Sequence, residues 1–115
     1  KPAIALLGIG SDGHTAGIFK ENLNSPYCYF LKNEFDSYYR VTISMKYLLD
    51  IPYLIFFVFG SEKKKILNKI FSSDNNNAFL ASKHLIKNGL GQKFVFCDKE
   101  AAPDSFKIGE SIIEI

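Results

Sequence analysis

The sequence has few of the residues that would assign it to several common kinds of protein. It contains no tryptophan and only two cysteines among 115 residues. Cys28 and Cys97 are far apart and in no metal-binding or redox spacing, so we expect free thiols, a reducing compartment and a cytoplasmic location. No apolar run approaches the roughly 18 residues that a membrane helix needs, and no signal-peptide pattern is visible. We therefore expect no membrane partner.

A strong excess of charge is also missing. Lysine and arginine total 14 and the acidic residues total 12, which gives a net charge of +2. A nucleic-acid-binding domain usually carries a basic face, so we expect no nucleic-acid partner. The hydrophobic fraction of 47% suffices for the core of one small domain, and the chain is too short for two. Because two or three parallel strands could not cover their own edges, we predict that residues 1–115 are the C-terminal part of one larger domain.

Apolar runs alternate with helical periodicities along the chain, which favours an α/β fold with a mostly parallel sheet flanked by helices. The apolar run at 53–59 is expected to be a central strand covered on both faces. The polar segment 20–37 is expected to be a loop holding some helix. The predicted strands are Ala3–Leu7, Tyr38–Ser44, Tyr53–Phe59 and Lys93–Cys97, with an edge strand in the tail 109–115. The predicted helices are Met45–Asp50, Glu62–Phe71 with Ser61 as N-cap, and Phe79–Lys87, with a helical turn at 98–102.

The most informative stretch is 3–19, AIALLGIGSDGHTAGIF. An apolar run ends at Gly8, Gly10 and Gly13 follow, and an apolar periodicity resumes at Ala16. This pattern predicts a buried strand, a glycine-rich turn and the opening of a helix. Ligands of open α/β sheets bind at the carboxyl ends of strands, and glycines let backbone N–H groups approach a ligand closely.

The same glycines match G-x-G-x-x-G, which by itself is weak evidence for a dinucleotide site. A dinucleotide-binding fold would also need a second apolar strand that ends in an acidic residue about 20 positions further on. Glu34 and Asp36 are acidic, but no clear strand leads to them. Dinucleotide binding stays open as an alternative.

Asp12 and His14 flank Gly13 and form the first candidate pair for chemistry. A histidine with an ordinary pKa of about 6.5 can take a proton at neutral pH. A nearby carboxylate can orient the ring and stabilise its charged form. The alternative is that Asp12 caps the following helix and His14 is a surface residue.

Lys63 and Arg40 are candidates for binding an anion. Lys63 is at the second position of its predicted helix, at the head of the inward stripe, which suggests an anion bound at the helix start. Alternatively, it extends outward within the Lys63–Lys65 run. Arg40 is predicted on the polar face of its strand, either as a phosphate ligand or as an edge-strand charge. Tyr38, Tyr39 and the phenylalanines are assigned to the core.

Residues 6–19, LLGIGSDGHTAGIF, closely resemble the signature of the 6-phosphogluconolactonases, which is roughly LLGxGxDGHTASLFP. The sequence departs from that signature at Gly17, where serine is usual, and at Lys20, where proline is usual. Ala3 also replaces an acidic residue often found at the strand start. The likeness continues in order through Arg40-Val41-Thr42, Gly60-Ser61-Glu62-Lys63, Phe79-Leu80-Ala81-Ser82 and Phe96-Cys97-Asp98 to Ala101-Ala102.

The resemblance implies a Rossmann-like α/β fold shared with the related glucosamine-6-phosphate deaminases. It implies hydrolysis of 6-phospho-D-glucono-1,5-lactone to 6-phosphogluconate, in the oxidative pentose phosphate pathway, with no metal or redox cofactor. His14 would be the general base on water, and Asp12 would support it. The substrate would be bound by the backbone around Gly10, Ser11 and Gly13, with Lys63 and Arg40 on its 6-phosphate.

Alternatives to the lactonase remain. The deaminases continue their shared core with a stretch like IAFNEP, where this sequence has Thr15–Phe19, TAGIF. A non-catalytic domain that binds a phosphosugar is a further alternative. The asparagine-rich loop and the bias toward Phe, Tyr and Lys resemble lactonases fused to glucose-6-phosphate dehydrogenase, which suggests such a fusion partner.

Overall fold

The fold is described by a computed structural model over residues 2–19, 23–24, 26, 28–32, 38–72, 79–104 and 112–114. Its strands are β1 (Ile4–Leu7), β2 (Cys28–Lys32), β3 (Tyr39–Ile43), β4 (Tyr53–Val58), β5 (Gln92–Cys97) and β6 (Ile112–Glu114). Its helices are α1 (Met45–Leu49), α2 (Lys64–Phe71) and α3 (Ala81–Asn88), and a 3₁₀ turn at Ser61–Lys63 precedes α2. None of the helices in these ranges is both long and apolar enough to cross a membrane.

Four of the strands form a parallel sheet in the order β1-β4-β5-β6. Ile4 is opposite Tyr53, Tyr53 is opposite Gln92, and Val95 is opposite Ile112. The sheet and its helices confirm the predicted α/β class, and β6 confirms the edge strand expected in the tail. Since all four strands run the same way, their carboxyl ends lie along one edge of the sheet, which is where such sheets bind ligands.

The helices pack on one face of this sheet, here called the covered face. The side chains of β4 on the covered face are Leu54, Phe56 and Val58, and each is at most 1% exposed. The apolar stripe of α2 faces the same core through Ile66, Leu67 and Ile70, and its lysines at positions 65 and 69 face solvent. The spacing of three and four residues in α2 is the pattern of a helix that buries one side.

The opposite face is here called the open face. By the strand register it carries Ile4 and Leu6 from β1 and Tyr53 and Phe57 from β4. These four residues are 43–67% exposed to solvent. Phe57 stacks on Phe96 of β5, with ring centroids 5.5 Å apart. The prediction that β4 is covered on both faces is therefore wrong for the residues described. The assignment of the phenylalanines to the core is wrong for Phe57 and for Phe59, which is 46% exposed.

The remaining two strands, β2 and β3, form a separate antiparallel pair. The expectation of a loop with some helix over 20–37 is wrong at 28–32, where β2 lies; residues 20–22, 25, 27 and 33–37 are outside the described residues. In β3, Tyr39 and Val41 are 63% and 77% exposed, whereas Thr42 is buried. The assignment of Tyr38 and Tyr39 to the core is wrong, because the polar side of β3 faces inward.

Two local predictions also fail. The glycine-rich turn does not open a helix: Ile18 donates back to the Thr15 carbonyl oxygen at 3.0 Å, and Ala16 has a φ of 51°. Ser61 is not an N-cap, since the 3₁₀ turn already begins at Ser61 and Gly60 precedes it without a side-chain cap. A tight reverse turn therefore replaces the first predicted helix, and the chain continues toward β2.

Candidate active site

A closed loop follows β1 at the carboxyl edge of the sheet. The Gly10 N–H donates to the His14 carbonyl oxygen at 2.9 Å, and the Gly13 N–H donates to the Gly10 carbonyl oxygen at 2.8 Å. The Thr15 hydroxyl donates to the Gly8 carbonyl oxygen at 2.8 Å. Gly13 has a φ of +86°, a left-handed conformation that favours glycine. A Cβ on Gly10 would overlap the His14 ring.

The loop brings Asp12 and His14 together as the sequence predicts. His14 Nδ1 lies 2.5 Å from Asp12 Oδ1, and the His14 backbone N–H donates to the same oxygen at 3.1 Å. The His14 ring also stacks on Phe19, with ring centroids 4.9 Å apart. Residues 15–19, which follow the pair in the described part of the chain, form a turn and not a helix, so the alternative role of Asp12 as the cap of a helix that starts there is wrong.

The pair is partly accessible, with 30% of the His14 side chain and 61% of the Asp12 side chain exposed. Partial burial raises the pKa of Asp12, but the hydrogen bonds from the His14 ring and backbone outweigh that effect. The pKa of Asp12 is therefore below its ordinary value. An ionised Asp12 holds the Nδ1 side of the ring, which leaves Nε2 as the nitrogen that can accept a proton.

Lys63 contacts the same loop from the end of β4, the strand next to β1 in the sheet. It lies in the 3₁₀ turn after β4, and its Nζ donates to the Ile9 carbonyl oxygen at 2.8 Å. The predicted position of Lys63 as the second residue of its helix is wrong, because α2 begins at Lys64. Its side chain is nevertheless directed inward to the loop and not extended into solvent, and its role in binding an anion stays a prediction. The partner in the structure is a backbone carbonyl of the loop. The ammonium group has three donors, so this contact does not exhaust it.

Arg40 lies in β3 beside the end of the loop. With its neighbours it lines an open groove of about 330 Å³, whose other lining residues are Ala16, Gly17, Val41, Thr42 and Ile43. Thr42 connects this strand to the loop because its Oγ1 accepts the Gly17 N–H at 2.8 Å. Ala16, one of the residues that line the groove, is only two positions after His14 in the sequence.

Two of the predicted backbone donors are already used within the loop, namely the N–H groups of Gly10 and Gly13. Ser11 is exposed in the turn between them. The Asp12 N–H interacts with the carboxylate of its own side chain. Of the predicted backbone donors in this loop, the Ser11 N–H is therefore the candidate for contact with a ligand. Across the described ranges, no three His, Cys, Asp or Glu side chains gather as a metal site would require.

Sequence reasoning missed two residues that hold this edge of the sheet together. Both carboxylate oxygens of Asp98, just beyond β5, accept the Gly60 N–H at 3.2 Å, and one also accepts the Ala101 N–H at 2.9 Å. Ser82, near the start of α3, donates to the Gly13 carbonyl oxygen. The available signal was the resemblance of the segments that contain them, which carried no role for either residue.

The chain is similar to known proteins in both sequence and structure. The sequence model of the family described as glucosamine-6-phosphate isomerases/6-phosphogluconolactonase matches residues 1–90. A probable 6-phosphogluconolactonase from Dictyostelium discoideum is 32% identical over 94 residues, which are 76% of this chain and 40% of that protein.

Two solved structures are similar over most of the chain. The 6-phosphogluconolactonase from Trypanosoma cruzi is 32% identical with a TM-score of 0.71, over 87% of this chain and 40% of that one. The 6-phosphogluconolactonase from Trypanosoma brucei is 29% identical with a TM-score of 0.72, over 87% of this chain and 41% of that one. The chain thus spans about two fifths of the length of these relatives.

The fold and the loop after β1 define an α/β domain with a histidine–carboxylate pair at the ligand-binding edge of its sheet. The family match extends over most of the sequence. This chain belongs to the glucosamine-6-phosphate isomerase/6-phosphogluconolactonase family.

Proposed function

We propose that the protein containing this chain hydrolyses 6-phospho-D-glucono-1,5-lactone to 6-phosphogluconate. The observation that carries the proposal is the contact between His14 Nδ1 and Asp12 Oδ1 on the loop after β1. Membership of the family and the names of its similar relatives support the choice of substrate. We further propose that residues 1–115 are the C-terminal part of the catalytic domain.

In this proposal His14 is the general base. Its Nε2 takes a proton from water while the water oxygen attacks the lactone carbonyl carbon, which gives a tetrahedral intermediate and a histidine cation. Asp12 holds Nδ1 and favours that cation. The bond from the carbonyl carbon to the ring oxygen then breaks, the ring oxygen takes the proton from the His14 cation to become a hydroxyl group, and His14 returns to its neutral form. Because the lactone is already reactive, orientation of water supplies much of the rate.

The remaining site residues are proposed to bind the negatively charged groups of the substrate and of the intermediate. The Ser11 N–H is the candidate to donate to the oxyanion that forms on the carbonyl oxygen. Lys63 and Arg40 are proposed to bind the 6-phosphate. Lys63 points at the loop and keeps further donors, and Arg40 lines the groove beside the end of the loop.

The test is lactone hydrolysis above the spontaneous background by the full natural protein and by its His14→Ala variant. We expect His14→Ala to lower kcat by roughly 100-fold or more, because general-base catalysis is typically worth that much. The matched control is His84→Ala, which removes the other histidine of the chain, on α3. We expect this control to retain the wild-type rate.

Equal rates for the wild type and His14→Ala would refute the general-base role. A wild-type protein that turns over glucosamine 6-phosphate instead of the lactone would favour the deaminase. Phosphosugar binding without any turnover would indicate a non-catalytic domain. The fusion to glucose-6-phosphate dehydrogenase stays a prediction, which the complete transcript would test.

A further inference from the structure

The loop that carries Asp12 and His14 is closed mainly by hydrogen bonds between its own residues. Those bonds fix its shape but not its place relative to the sheet. Of the contacts described above, two reach the loop from other elements at its centre: Lys63 Nζ on the Ile9 carbonyl oxygen, and α3 on the Gly13 carbonyl oxygen. The contact from α3 is made to Gly13, the residue directly before His14.

The contact from α3 is made by one residue with two donors. The Ser82 hydroxyl donates to the Gly13 carbonyl oxygen at 2.8 Å, and the Ser82 backbone N–H donates to the same oxygen at 3.0 Å. Ser82 is fully buried and lies 69 positions from Gly13 along the chain. The N–H groups of the first helical turn have no partner within their own helix, so the loop carbonyl also completes the start of α3.

The Gly13 carbonyl oxygen shares a peptide plane with the His14 N–H. Because a peptide unit is planar, a restraint on that oxygen also sets the direction of the N–H bond. The His14 N–H donates to Asp12 Oδ1, the same oxygen that His14 Nδ1 contacts. A restraint by Ser82 on the Gly13 carbonyl oxygen therefore also restrains the His14 N–H, and with it the contact between His14 and Asp12.

Packing also restrains this peptide plane, at the α-carbon of Gly13. A Cβ on Gly13 would lie 2.6 Å from Leu80 Cδ2 and 3.3 Å from Ile66 Cδ1. Gly13 is therefore in close contact with the entry to α3 and with the core side of α2. The Gly13–His14 peptide is held by packing at its α-carbon and by hydrogen bonds at its oxygen.

From this geometry we infer that Ser82 is a positioning residue for the His14–Asp12 pair, acting through the Gly13 carbonyl. It touches neither substrate nor reacting atoms. The inference on catalysis rests on the proposed lactonase function, whereas the inference on the geometry of the pair does not.

The test compares Ser82→Ala with Ser44→Ala in the full natural protein. Ser44 is also fully buried and hydrogen-bonded, but its side chain serves α1, as the N-cap that accepts the Tyr47 N–H at 3.2 Å. Ser44→Ala therefore serves as a control for loss of stability. Ser82→Ala is expected to fold, because the Gly13 carbonyl keeps the bond from the Ser82 backbone N–H.

For lactone hydrolysis we expect Ser82→Ala to lower kcat by roughly 10- to 100-fold, with KM changed less than about twofold, since a small misplacement of a catalytic group has effects of this size. Ser44→Ala is expected to keep kcat. A kcat for Ser82→Ala equal to that of Ser44→Ala would overturn the inference on catalysis.

A second measurement is independent of activity: titration of the Asp12 carboxyl carbon by nuclear magnetic resonance. Loss of the Ser82 hydroxyl is expected to loosen the His14 contacts that lower the pKa of Asp12, so this pKa should rise toward its ordinary value. An unchanged Asp12 titration in Ser82→Ala would overturn the positioning role. A wild type without lactonase activity would instead refute the proposed function, and the titration would still decide the role of Ser82.

Discussion

The covered and open faces of the four-stranded sheet have similar side chains and very different surroundings. Phe56 and Phe57 are neighbours in β4; the first is fully buried beneath the helices and the second is 43% exposed. Parallel sheets are ordinarily covered on both faces. The comparison teaches that apolar content alone does not show which face of a strand is buried.

The largest expected effect is the difference between truncations on the two faces. Phe56→Ala should lower the free energy of unfolding by about 3–5 kcal/mol, because it leaves a cavity between the sheet and the helices. Phe57→Ala should lower the free energy of unfolding by roughly 1 kcal/mol, because folding removes much less of the Phe57 side chain from water. Urea unfolding of both variants measures the difference. Equal losses would break the comparison and would show that the open face is covered in solution.

A smaller contrast is expected within β3, where a polar side chain is the buried one. Thr42→Val keeps the shape of the side chain but removes the acceptor of the Gly17 N–H. We expect a loss of about 1–3 kcal/mol in the free energy of unfolding.

The matched control for Thr42→Val is the reverse exchange one residue earlier, Val41→Thr, at a position that is 77% exposed. This change should alter the free energy of unfolding by less than about 0.5 kcal/mol. The same unfolding experiment checks both variants. A larger cost for Val41→Thr than for Thr42→Val would reverse the assignment of the inward face of β3.

The smallest effect is expected in the loop after β1, which lies beyond the end of both faces. The pKa of Asp12 is lowered in the folded protein, so its contribution to stability is present above the unfolded value of about 3.8. It is lost as the pH falls below that value, through the folded pKa. Because Asp12 is largely exposed, solvent screens the effect.

We therefore expect the wild type to lose slightly more stability than Asp12→Asn between pH 6 and pH 3. Unfolding by urea at several pH values would measure the two slopes. Parallel stability curves for the two proteins would show that the Asp12–His14 contact contributes nothing to the folded state.

Several predictions from local patterns succeeded, although the helix after the glycine-rich turn and the Ser61 N-cap did not. The period of the helix at α2, the apolar run at β4 and the spacing of Asp12 and His14 each depend on neighbours in the chain, and each was found in the structure. An alternating pattern also identified which residues of β3 share a face. It could not show which face is inward, because Thr42 is buried by its contact with Gly17, which is distant in the sequence.

The site was predictable to the same extent. The pair of side chains was visible in the sequence, because two residues separated by one glycine can meet within a tight turn. The backbone atoms to which side chains bind in the loop and at the adjoining edge of the sheet were not visible. Lys63, Asp98 and Ser82 act through backbone atoms of Ile9, Gly60 and Gly13. A backbone atom has no side-chain signature, so such contacts can be recognised only after the fold has brought the elements together.

The parallel register also has a consequence for the order of folding. Ile4 pairs with Tyr53, so β1 joins the sheet only after a long stretch of chain has been closed into a loop. Closing such loops costs entropy before any contact forms, and proteins rich in such pairings fold slowly. We expect destabilising changes in β1 to accelerate unfolding more than they slow folding, which stopped-flow kinetics of Leu7→Ala would measure. The loop that carries His14 would then be among the last parts of the protein to take its native shape.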